Sequence, residues 1–243
     1  MKNSFFAASL MLLPGAVFAA NGAHWDYVGN AGPESWGKLT PEYGACSGRN
    51  QSPINLTGMI DAKLQPLVFN YDKQAGEILN NGHTVQINVV AGNSIKLDGT
   101  QFDLKQFHFH APSENLIKGK SYPLEGHLVH ADKDGNLAVI AVMFKEGKAN
   151  KVLTQAWKQM PKQAGDKASL ADQVTAMDLL PAKHDYYRFN GSLTTPPCSE
   201  GVRWIVMKNP MTASKEQIEA FAGVLTHPNN RPVQPLNART VME

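Results

Sequence analysis

The chain has 243 residues, and its 23 lysines and arginines nearly balance its 21 aspartates and glutamates, for a formal net charge of +2. Such a balance offers no basic face for nucleic acid or an anionic membrane surface, and a small molecule is the expected partner. Beyond residues 1–20, no stretch is long and apolar enough to cross a bilayer.

Residues 1–20, MKNSFFAASLMLLPGAVFAA, place one lysine ahead of an apolar run that closes on Val17-Phe18-Ala19-Ala20. This is the layout of a secretory signal peptide, with cleavage expected near Ala19 or Ala20. Pro14 and Gly15 interrupt the run, and it falls short of the roughly 20 apolar residues of a membrane span. The remainder, 21–243, contains no repeat, low-complexity tract or evident linker, and reads as one domain. Cys46 and Cys198 are its two cysteines. In an exported protein they suggest a disulfide, with two buried thiols as the alternative. A bridge would close a loop of about 150 residues and contribute at most about 5 kcal/mol in the chain-entropy description.

Residues 22–60 are rich in Gly, Pro, Asn and Ser and are expected to wrap the surface as an irregular arm. Strand signals follow. Residues 84–90 (TVQINVV) are rich in β-branched side chains and come after the turn signal Asn80-Asn81-Gly82. Further strands are expected at 94–97, 101–111, 124–131, 137–145 and 202–208. Val152, Leu153, Ala156 and Trp157 recur at helical spacing within 148–160. A second helix is expected over 215–224, capped by Thr212 or Ser214. Strands that follow one another without intervening helices argue for antiparallel pairing in a mainly β, α+β domain.

The segment Gln106-Phe107-His108-Phe109-His110 carries the chemistry. Residues two apart in a strand share a face, so His108 and His110 stand side by side while Phe107 and Phe109 point the other way. That pair alone fits a metal site or structural histidines equally well. Glu125-Gly126-His127-Leu128-Val129-His130 reads as a neighbouring strand. Its two histidines are an odd number of residues apart and face opposite ways; His127 shares its face with Glu125 and Val129. Three neutral imidazoles with a free fourth position are the ligand set of a catalytic zinc. Gln106 and Glu125, two residues before His108 and His127, are candidate acceptors for the second N–H of those rings.

On these residues the chain resembles the α-class carbonic anhydrases. Gly191-Ser192-Leu193-Thr194-Thr195-Pro196-Pro197-Cys198, Gln51-Ser52-Pro53-Ile54, Asn81-Gly82-His83, Gly201-Val202-Arg203-Trp204 and Asn230-Arg231-Pro232-Val233-Gln234-Pro235-Leu236 carry the likeness from about Trp25 to Arg239. With a leader and two cysteines, it is most similar to bacterial periplasmic members. The resemblance implies one domain around a large, twisted, mostly antiparallel sheet with short peripheral helices. It implies one Zn²⁺ per chain on His108, His110 and His127, and reversible hydration of carbon dioxide to bicarbonate through a zinc-bound hydroxide. Thr194 would accept the hydroxide's hydrogen bond and donate onward to Glu114. His83 would carry the proton to solvent, with Tyr27, Asn81 and Gln86 ordering the waters between. Val129, Val139, Leu193 and Trp204 would wall the substrate pocket, and Thr195 would touch bicarbonate at its mouth. A Cys46–Cys198 bridge would tether the Thr194 loop, and Ser52–Pro53 and Pro196–Pro197 are candidates for cis bonds.

Two further readings remain. Relatives that have lost zinc act by recognition, but they lack ligand histidines that this chain keeps. A different zinc hydrolase is disfavoured because the sequence has no His-Glu-x-x-His helix. Cobalt is a possible occupant of the same ligands. His24, His130, His184 and His227 are assigned no ligand role. The likeness leaves oligomeric state open and implies no membrane association once the leader is removed. Gly126 and Asn190 depart from the residues usual in the family.

Overall fold

Strands form where β-branched and aromatic side chains alternate with polar ones, because that pattern suits a pleated surface packed on one or both sides. The computed structural model describes residues 23–170 and 174–243; the expected leader at 1–20 lies outside the described residues. The strands are β1 (Asn55–Leu56), β2 (Val68–Asn70), β3 (Ala75–Asn80), β4 (Val85–Val89), β5 (Ser94–Leu97), β6 (Thr100–His110), β7 (Leu116–Ile117), β8 (Leu124–Ala131), β9 (Leu137–Glu146), β10 (Lys167–Ser169), β11 (Tyr186–Ser192), β12 (Glu200–Met207) and β13 (Met211–Ala213). The helices are short: α1 (Trp36–Leu39), α2 (Lys151–Trp157) and α3 (Lys215–Ala222). The arm expected to be irregular contains α1 and two 3₁₀ turns, Gly29–Ala31 and Pro41–Ser47.

One large sheet runs in the order β10-β3-β4-β6-β8-β9-β12-β11; off that path β5 pairs with β6, β2 with β5, and β13 with β9. Its pairings are antiparallel except on β9, which β12 and β13 join in parallel. Local residue pattern carries no sign of those two parallel contacts. They are possible because β9 and β12 are not joined by a tight turn: α2, β10 and β11 intervene, which gives the long connection that parallel pairing needs.

The two faces of the sheet carry different cores. Phe107, Phe109, Leu128, Ile140, Phe144 and Ile205 pack on one. Val139, Ala141, Met143, Val202, Trp204 and Val206 pack on the other. Helix α3 starts at Ser214, whose hydroxyl accepts from Gln217 N–H while the Gln217 amide oxygen accepts from Ser214 N–H. That reciprocal cap decides between the two expected positions; Thr212 lies in β13 instead. Asn150 caps α2 by accepting from Val152 and Leu153 N–H. Ser52–Pro53 and Pro196–Pro197 are cis, and so is Ala111–Pro112, which the sequence did not flag.

Candidate metal centre

The β6–β8 register sets His108 opposite His127 and His110 opposite Glu125. Alternation then sends all three imidazoles and the Glu125 carboxylate to one side of the sheet, the side walled by Val139 and Trp204. Ring centroids lie 5.0 Å (His108–His110), 5.3 Å (His108–His127) and 4.6 Å (His110–His127) apart. One nitrogen from each ring lies within 4.8 Å of the other two. On the opposite face, a Cβ on Gly126 would stand 3.2 Å from the Phe109 ring and 3.4 Å from Phe144. The bare backbone lets β8 lie close against those aromatics.

Each imidazole has one nitrogen engaged and one left over. His108 Nδ1 is 2.9 Å from Gln106 Oε1. His110 Nδ1 is 2.7 Å from the Asn229 carbonyl oxygen, and His127 Nε2 is 2.9 Å from Glu125 Oε1. All three neighbours are acceptors, so each fixes its ring as the tautomer whose other nitrogen carries a lone pair. Glu125 is itself held by Glu114 N–H at 2.7 Å, Asn115 N–H at 2.9 Å and the Asn115 side-chain amide at 2.7 Å. Burial, above all, pushes the His108 and His127 rings well below their ordinary pKa and lowers His110 as well. The rings are neutral at pH 7, the form a metal requires.

Buried polar atoms are almost always paired, yet His110 Nε2 and Glu114 Oε2 have no hydrogen-bond partner. They lie 3.5 Å apart, and Glu114 Oε2 is 3.9 Å from His127 Nδ1. A cation among the three free nitrogens would answer the first orphan by coordination and the second by charge. The residues therefore fit one metal ion held by three imidazoles.

Glu114 Oε1 accepts from Arg231 N–H at 2.9 Å. Burial raises the Glu114 carboxyl well above its usual range, opposed by the Arg231 backbone donor, the Thr194 hydroxyl and the Arg231 guanidinium. Thr194 is thus near enough to favour the carboxylate, although Oε2 carries no formed hydrogen bond. The buried Arg231 guanidinium donates to Gln51 Oε1, Ser52 O and Cys46 O at 2.8–3.0 Å. Cys46 is disulfide-bonded to Cys198, four residues beyond Thr194, and Gln51 Nε2 donates to Cys198 O at 3.1 Å. Bridge and arginine together fasten the N-terminal arm to the Thr194 loop.

A cavity of about 130 Å³ opens from His108 and His110 past Gln106, Gln86, Thr84, Asn81 and Thr195 to Tyr27, His83 and Trp25. The expected Tyr27, Asn81, Gln86, His83 and Thr195 all line it. Val129, Val139, Leu193 and Trp204 group in one apolar cluster, and the Trp204 ring packs edge-on to His127 at 4.9 Å. A wider, mixed-charge concavity near Asp61, His184 and Lys208 touches none of these residues. His130 points to the other face as its parity requires. It is fully buried, with Nδ1 3.1 Å from Ala138 O and Nε2 against the Tyr71 hydroxyl. Sequence reasoning missed Asn229 and the Trp25 indole, which stacks on His83 at 3.7 Å.

Fold and site thus define a large-sheet protein with a three-imidazole centre for one metal ion at the foot of a narrow cavity. The family model for eukaryotic-type carbonic anhydrase matches residues 31–243. The chain is 49% identical to a carbonic anhydrase of Pectobacterium carotovorum over the whole of both chains. It is 46% identical to one of Neisseria gonorrhoeae, covering 97% of this chain and 95% of that one. Among solved structures, an α-carbonic anhydrase of Thermovibrio ammonificans bound to the inhibitor sulfanilamide superposes with a TM-score of 0.90 at 52% identity, covering 91% of this chain and all of the other. The chain belongs to the α-type carbonic anhydrase family.

Proposed function

We propose that the protein is a zinc-dependent carbonic anhydrase, exported by the leader at 1–20 to an oxidising compartment such as the periplasm, that interconverts carbon dioxide and bicarbonate. The observation that carries the reading is the trio of neutral imidazoles, His110 and His127 buried and His108 partly so, each pinned through one nitrogen with the other turned inward. His108 Nε2, His110 Nε2 and His127 Nδ1 would hold the ion. Neutral ligands leave zinc its full double charge, which lets a coordinated water ionise near neutral pH, an effect for which carbonic anhydrases are the standing example.

The chain's own groups supply the rest. A divalent cation at the imidazoles favours the carboxylate form of Glu114. As an acceptor it draws the Thr194 hydroxyl proton toward itself and leaves the Thr194 oxygen lone pairs for the cavity. That orientation selects a donor at the reacting position and fixes its direction. The apolar cluster of Val129, Val139, Leu193 and Trp204 suits a substrate with no net dipole, and Thr195 at the rim offers bicarbonate a hydroxyl. His83 is half-buried and its pKa lies below the ordinary value, chiefly through desolvation. It is therefore neutral at pH 7 and its ring nitrogen can take up the released proton. Tyr27, Asn81 and Gln86 line the cavity of about 130 Å³ between the imidazoles and His83, a polar space that water can fill.

Stopped-flow hydration of carbon dioxide by the purified mature protein, before and after removing and restoring zinc, tests the proposal. Hydration that vanishes with the metal and returns with it is expected. Zinc bound at one per chain without hydration would refute the carbonic anhydrase reading and point to a recognition module or another zinc hydrolase.

A further inference from the structure

His83 lies flat on the Trp25 indole, with the two planes 11° apart. A proton taken up there must leave before the next turnover, and the rim beside it is not featureless. The Tyr27 phenol is flanked edge-on by two imidazoles, His83 with centroids at 6.4 Å and His227 at 6.2 Å. His227 Nε2 lies 2.7 Å from Asp26 Oδ1, and His227 Nδ1 lies 3.2 Å from the Pro228 carbonyl oxygen. Both ring nitrogens therefore face acceptors. A neutral imidazole can donate to only one of them, whereas the imidazolium satisfies both. Asp26 is fixed in turn by Tyr27 N–H, which donates to the same Oδ1 at 2.6 Å. The side chains of His227 and Asp26 are 21% and 32% exposed, so buffer can reach them.

We propose that His227, paired with Asp26, is a second proton station that relays protons from His83 to solvent. The inference rests on the carbonic anhydrase reading above. In the transfer, an N–H bond breaks on the His83 imidazolium, water carries the proton past Tyr27, and an N–H bond forms on His227. Asp26 neutralises the new charge until a buffer base removes the proton. Nothing is oxidised or reduced. The charged neighbours of His83 are Asp26, which favours its protonated form, and His24 and His227, which oppose it when charged. A proton parked on His227 thus discourages a second on His83 until the outer station has emptied.

The competing explanation is a structural tie between the loop carrying His227 and the N-terminal arm. His227→Gln separates the two, because an amide still donates to Asp26 but cannot take up and release a proton. Asp26→Asn is the companion variant. In stopped-flow assays we expect kcat for His227→Gln to fall about threefold in dilute buffer, a modest loss for a proton-transfer group. kcat/KM should stay constant, and concentrated imidazole buffer should restore kcat. Asp26→Asn should behave alike. A fall in kcat/KM, or a loss of kcat that buffer does not repair, would make the pair structural and overturn the relay. Wild-type behaviour of His227→Gln alongside a slowed His83→Ala would overturn the relay and leave His83 as sole shuttle. If His83→Ala is also unaffected, the shuttle reading fails with it.

Discussion

His130 offers a quantitative test of the fold, because it is a fully buried titratable ring on the face away from the metal centre. Its Nδ1–H donates to Ala138 O and its Nε2 accepts from the Tyr71 hydroxyl, an arrangement that requires the neutral ring. Burial lowers its pKa from 6.5 to about 4. In the unfolded chain the ring protonates near 6.5, so between the two values the unfolded state binds more protons. Stability therefore falls as pH drops through that window. From these two pKa values the loss is ~2 kcal/mol between pH 7.5 and pH 5, and ~3 kcal/mol by pH 4. Urea unfolding of the wild type and His130→Gln across that range isolates the effect, since other acid-sensitive groups, the metal ligands included, are common to both. The variant should be the less stable at pH 7.5, and the gap should shrink by about 2 kcal/mol at pH 5. A gap that does not change with pH would show that His130 is not held neutral in the folded protein, and the reasoning would fail.

Glu125→Gln exchanges the carboxylate beside His127 Nε2 for an amide and should weaken zinc binding about 10- to 100-fold, read by competition with a chromophoric chelator; unchanged affinity would remove Glu125 from the centre. Cys198→Ser should lower stability by up to about 5 kcal/mol and make urea unfolding indifferent to reductant, while the wild type responds to it. Asn150→Ala deprives Val152 and Leu153 N–H of their acceptor and should cost about 1 kcal/mol, measured by the shift in urea midpoint. A loss below a few tenths would mean that Gln217, which donates to Asn150 O, keeps that helix start in place by itself.

The strands that carry the ligands were legible because parity does the sorting. β6 alternates Phe and His, and β8 matches its expected bounds, 124–131. β3 escaped notice because Gly76 and Glu77 interrupt its apolar residues; it forms through pairing with β4 and β10 on both sides. β11 was hidden likewise, its Tyr, Arg and Asn reading as mixed until β12 supplies a partner along its length. Among the acceptors, Gln106 and Glu125 could be found because a side chain two residues away on a strand leaves a visible spacing. The acceptor for His110 could not, because it is the main-chain oxygen of Asn229, and a carbonyl has no residue type to read. The Trp25 stack on His83 is equally silent in sequence, since it joins two loops packed through tertiary structure. The parallel partners of β9 depend on where the chain re-enters the sheet, which local pattern does not encode.

The acceptors also differ in when the chain can supply them. Gln106 and Glu125 travel with the histidines they orient, so a nascent hairpin of β6 and β8 already carries two imidazoles with their tautomers set. The third waits for a residue 119 positions further along. The orientation of the triad is therefore complete only once the segment around Asn229 has docked on His110, and metal affinity should report that docking.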